Sequence, residues 1–174
     1  MSTAAENYSS TTDSTALTIT LASLATSSTR VAGRQSTIVT NVTNKYLDCE
    51  VYGQITTGTS PTANKSIEVW IFVPISVASS TFVYPIAGAT VLGESDAAAT
   101  FDAEQKSGGV ILAATMATNA TSDRKYSFAF SLREKVGYMP LKWGLFVTHD
   151  TAVNRNATAG NHWAHYIGHK ADIA

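Results

Sequence analysis

One pattern limits this chain more than any other: apolar side chains return at every second position, segment after segment. The segment 45–56 shows it plainly. Leu47, Cys49, Val51 and Ile55 fall on one side, and Tyr46, Asp48, Glu50, Tyr52 and Gln54 on the other. A helix, turning every 3.6 residues, would scramble that division, whereas a half-buried strand produces it. The same alternation predicts strands over 16–22 (Leu17, Ile19, Leu21 on one face) and 36–43 (Ile38 and Val42 against Thr37, Val39 and Asn41). It recurs over 67–73, where Ile67, Val69, Ile71 and Val73 oppose Glu68, Trp70 and Phe72. Later strands show Val110, Leu112, Ala114 and Met116, then Tyr126, Phe128, Phe130 and Leu132, then Leu141, Trp143, Leu145 and Val147. The last covers 162–169, with Trp163 and Ile167 on one face and Tyr166 on the other.

Between these runs the chain breaks where turn residues gather. GTSPTANKS (58–66) reads as a loop, and Pro74, Pro85, Gly88 and Gly93 interrupt the irregular stretch 74–108. Within it, DAAATFDAEQ (96–105) fits a short helix or a long loop, and a loop of that length is a candidate interaction surface. The expected fold is therefore all-β: an antiparallel β-sandwich of jelly-roll type with about eight strands. Strand order is not readable from one sequence, so another sandwich topology stays open. Residues 1–14 (MSTAAENYSSTTDS) have almost no apolar anchors and are expected to form a flexible N-terminal arm, with the sandwich domain spanning 15–174.

Composition narrows the function. Charged residues are 14% of the 174, against about 25% in an average soluble domain. The polar surface is built instead from residues such as Thr, of which there are 24 against 12 Lys plus Arg. Such a surface loses its water at low cost and suits lasting contact with another protein. A net charge of −1 and the absence of a basic patch argue against binding nucleic acid through its phosphates. No apolar run approaches the roughly 20 residues that cross a bilayer, and no leader segment is read at the N-terminus.

Four groups of residues could carry chemistry. His162, His165 and His169 lie close in sequence, with His149 upstream; on a strand only His165 and His169 share a face, which makes them a weak metal pair. Cys49 sits on an apolar face, where a thiol stays protonated and inert. Asp48 and Glu50 share a strand face at a separation of roughly 7 Å, a spacing also found in inverting glycosidases, with nothing else to support that chemistry. Trp70, Phe72, Tyr46 and Tyr52 lie opposite the inferred core stripes; these faces are expected to be covered by loops or by another subunit, with a platform for carbohydrate as the competing reading. No phosphate loop and no serine-nucleophile motif is present, and neither an enzymatic activity nor a cofactor is expected.

The stretch YLDCEVYGQITTGTSPTANKSIEVWIFV (46–73), followed by KYSFAFSLREK and MPLKWGLFVTHDT, resembles the small jelly-roll structural proteins of tailed bacteriophages over roughly 46–150. The resemblance implies a virion component without catalysis. Foremost is a capsid decoration or cement protein that binds the major capsid protein; a minor head–tail protein is a further candidate. It implies a homo-oligomer, for which a trimer is the natural guess, made in the bacterial cytoplasm. The His- and Trp-containing stretch 160–170 departs from the short polar ending of that pattern. The competing expectation is a carbohydrate- or receptor-binding module of a phage tail.

Overall fold

The computed structural model describes residues 6–10, 14–74, 95–101 and 103–173. The chain folds as two packed antiparallel sheets. Among the described residues, eleven strands run in chain order: β1 (Glu6–Ser10), β2 (Thr15–Ala16), β3 (Ala32–Gln35), β4 (Val39–Thr40), β5 (Asp48–Thr56), β6 (Lys65–Phe72), β7 (Ala97–Thr100), β8 (Ile111–Thr118), β9 (Lys125–Ser131), β10 (Lys142–His149) and β11 (Trp163–Ile173). Among the described residues there are also two short α-helices, α1 (Ala103–Gly109) and α2 (Leu132–Val136), and a single 3-10 turn at Ala159–Asn161. One sheet has the order β1-β11-β5-β9, with β2 also on β11; the other has the order β7-β3-β10-β6-β8, with β4 also on β10.

The long alternating segments become the central strands. Cys49, Val51 and Ile55 of β5, Ile67, Val69 and Ile71 of β6, and Trp143 and Leu145 of β10 are all 0% exposed. With Phe128, Phe130, Leu132, Ala164 and Tyr166 they fill the space between the sheets. A second cluster lies outside this sandwich. Phe72 and Phe146, on the opposite face of β6 and β10, pack with Ala99, Phe101 and Val110 from the chain that crosses between β6 and β8. That crossing segment is why β6 and β10 read as apolar on both faces.

Some sequence expectations need correction. Of the expected strand 16–22, only Ala16 lies in a strand, β2; the chain then continues irregularly while Leu17 and Leu21 stay buried. In 36–43 the faces are reversed: Val39 and Asn41 are buried and Val42 is 48% exposed. Leu47 and Leu141, placed in core stripes, lie at strand ends and are exposed. In β8 a bulge intervenes, since Val69 pairs with Ala114 but Trp70 pairs with Leu112. The extra residue, Ala113, shifts the alternation by one. Met116 and Ala114 therefore face the core, while Leu112 turns outward. The stretch 96–105 divides between β7 and the start of α1. Residues 6–10 of the expected arm form β1; residues 75–94, including Pro85, Gly88 and Gly93, lie outside the described residues.

Candidate functional site

The four aromatic residues singled out in the sequence have separate fates. Tyr46 is buried, because Gly168 leaves a gap that its ring fills and Asn41 clamps its backbone with two hydrogen bonds of 2.7 and 3.0 Å. Phe72 is fully covered by its own chain. Neither is open to a partner: the chain's own crossing segment covers Phe72, and Tyr46 belongs to the core between the sheets. Trp70 is half-buried: its Nε1–H donates to Glu68 Oε2 at 2.9 Å, and the Lys106 ammonium sits 4.5 Å from its ring centre. A ring already covered by a cation is a poor stacking platform. Only Tyr52 is left on an open face.

Tyr52 has neighbours the sequence did not assign to it. The register of β5 against β11 sets Tyr52 opposite His165, with Trp163 on the same face two residues along. The Tyr52 and His165 rings stack at 6.0 Å and 26°, and Trp163 stands edge-on to both, at 5.9 and 5.5 Å. Ser14, at the start of the β2 segment, reaches the His165 Nδ1 through its hydroxyl at 3.1 Å. These four side chains line a shallow depression of about 330 Å³. Trp163 is 37% exposed. Alternation set Trp163 on the face opposite Tyr166, but which face is open, and the partnership with Tyr52, required the strand pairing.

The histidines divide by burial. His162 is buried, taking the Thr56 N–H at 3.2 Å on Nδ1 and meeting the Asn156 carbonyl at 2.9 Å through Nε2; burial holds its pKa below the usual value. His149 is fully buried far from the others in sequence, between the Leu24 carbonyl and the Thr151 hydroxyl. His165 and His169 share the outer face of β11, four residues apart. Among the described residues, no three His, Cys, Asp or Glu side chains gather as a metal-binding group.

Cys49 is completely buried, and burial, with the neighbouring Asp48 charge, pushes its thiol up to about 12. Asp48 is fully engaged as an anchor. Its carboxylate accepts from Cys49 N at 2.7 Å, Ser131 Oγ at 2.7 Å and Arg133 N at 2.9 Å, which ties β5 to the first turn of α2. Glu50 is exposed on the same strand. The pair therefore divides into a structural carboxylate and a solvated one.

An ionic cluster that the sequence gave no sign of lies under α1. Glu68, 8% exposed, meets Arg30 Nε at 2.8 Å and Lys106 Nζ at 2.6 Å. Arg30 also reaches Asp150 at 2.8 Å, and Asp150 accepts from Ser66 N at 2.7 Å. Positive and negative groups are matched, so the cluster has the form of a latch that fixes α1 on the sheet. Comparison of the chain with protein families, curated proteins and solved structures finds no match.

Proposed function

We propose that this protein is a non-enzymatic virion structural protein, a capsid decoration or cement protein that binds and stabilises neighbouring capsid subunits as a homo-oligomer. The proposal extends to the fold: the sandwich is a jelly roll. Taking β1 and β2 as one interrupted strand, and β4 and β7 as additions, the main strands are ordered 1-8-3-6 in one sheet and 2-7-4-5 in the other, which supports that topology.

The observation that carries the functional reading is an overhang. β5 pairs with β11 only as far as His169, whereas β11 continues to Ile173. Over residues 170–173, β1 is the only strand paired with β11 among the described residues. An isolated two-stranded ribbon is marginal in water, and its open edges are templates for further pairing. A partner subunit that extends this ribbon would complete it. The Thr-rich, charge-poor composition supports the same role.

Light scattering on the full chain, joined to co-sedimentation with assembled capsids, tests the proposal. The expected result is an oligomer that sediments with particles. A strict monomer that stays in the supernatant would refute it.

A further inference from the structure

We infer that the outer face of the five-stranded sheet carries a binding site for an uncharged pyranose glycan, built on Trp163, Tyr52 and His165. The inference does not depend on the virion reading. It starts from three rings held on one open strand-pair face by backbone register, with Trp163 standing at 79° and 85° to the other two. The C–H face of a pyranose ring stacks on an aromatic face, and its hydroxyls need donors and acceptors at the rim. This rim has both: the Ser14 hydroxyl, the His165 ring nitrogens, the Tyr52 phenol and the indole N–H of Trp163.

The surroundings select the ligand class. Among the described residues, the side chains lining the depression include no Lys or Arg. Phosphate, sulfate and carboxylate ligands are recognised by such groups, so an anionic ligand is disfavoured. The outward carboxylate nearby is Glu50, which pairs with Ile167 along the same strands and accepts hydroxyl hydrogen bonds. On the β9 side, Tyr52 and Gln54 pair with Ala129 and Ser127, both small and exposed. Small neighbours leave the flank of Tyr52 low, so a chain of sugars has room to run across β9. A depression of about 330 Å³ lined by four side chains lies at the lower end of small-ligand sites, which suits one or two sugar rings.

Fluorescence and ligand-detected NMR test this on the full chain. Trp143 is 0% exposed and Trp70 is covered by Lys106, which leaves Trp163 as the responsive indole. Titration with the neutral trisaccharides maltotriose, cellotriose and chitotriose should change its emission for at least one sugar, with a Kd near about 1 mM. Saturation transfer should mark the sugar C–H protons. Trp163→Ala and Tyr52→Ala should each weaken binding roughly tenfold or more, while Trp70→Phe leaves it unchanged. Circular dichroism should keep its β signature in the Trp163→Ala variant, since that side chain lies on the surface. Two outcomes overturn the inference: no response to any of the three sugars, or undiminished binding in Trp163→Ala. An oligomer that joins capsids but ignores sugars defeats this inference alone; a monomer that binds sugars defeats only the virion reading.

Discussion

His149 is a histidine kept from acting as a base by its surroundings. Burial, then the nearby Arg155 guanidinium, push its pKa down to about 3. The Leu24 carbonyl can only accept, so Nε2 carries the proton and Nδ1 faces the Thr151 hydroxyl. The unfolded chain takes a proton on this ring near pH 6.5, roughly the free value, while the folded chain refuses it until about 3. Below about pH 6.5 the unfolded state therefore holds more protons, and stability falls as pH falls, by about 1.4 kcal/mol per pH unit from this group. Above that pH its contribution is flat. His162, also lowered by burial, adds the same sign. Urea unfolding across roughly pH 7 to 4 should show a shallower slope in His149→Gln than in the parent, by up to that amount; equal slopes would show that the ring is not held neutral. None of this was legible in the sequence. His149 ends an alternating run beside a loop, and nothing in HDT distinguishes a buried ring from a surface one. The same limit left open what covers Tyr46 and Phe72. Alternation separates two faces but does not say which is covered, and here chain segments cover both faces of β6 and β10.

At the scale of strands, the aromatic residues explain the glycines. A Cβ on Gly33, Gly53, Gly144 or Gly168 would lie closer than 3.0 Å to the ring of Phe146, Phe128, Phe72 or Tyr46 respectively. Gly53 and Gly144 are directly paired across strands with the rings that cover them, Phe128 and Phe72. A glycine in mid-strand weakens the sheet, and a ring laid over it restores the lost packing. Gly53→Ala should push the Phe128 ring aside, and its Cβ would also meet the Trp163 carbonyl oxygen. The expected cost is about 1–3 kcal/mol, the usual range for overpacking, read as a lower midpoint in urea at unchanged slope. A loss within error would mean that the ring has free space to move into. The strands themselves were well marked in the sequence wherever alternation ran long, as in 45–56 and 126–132. The bulge at Ala113 was not, because an added residue leaves no trace in composition; it appears only when Trp70 is seen to pair with Leu112. Helix α2 did carry a signal. Ser131 and Glu134 have the spacing of a helix start, and the Ser131 hydroxyl accepts from the Glu134 N–H at 3.0 Å.

Across the whole molecule, the first and last described strands pair side by side. Glu6 pairs with Ile173 and Ser10 with His169, while Thr15 pairs with Tyr166. The sequence predicted a two-layer β protein from its periodicity, but pairing between positions so far apart has no sequence signature, and the first strand sits in a segment too polar to read as one. Because β1 is held through backbone pairing to β11, an identical β11 on a second copy would hold it equally well. Exchange of β1 between copies is therefore the simplest route from this fold to an oligomer. Cross-linking decides between closed and exchanged arms. Adjacent antiparallel pairs alternate between wide and narrow Cα separations, about 5.5 and 4.5 Å, so one of two neighbouring pairs suits a disulfide. The variants are Tyr8→Cys with Ala171→Cys, and Asn7→Cys with Asp172→Cys, both directly paired positions. The native Cys49 is buried with its thiol pushed up to about 12, so it stays out of the reaction. After oxidation and denaturation, exchanged arms should run as linked dimers or higher ladders on a non-reducing gel, independent of dilution before oxidation. Closed arms should run as single chains with faster mobility, and that result would exclude exchange of β1 between copies.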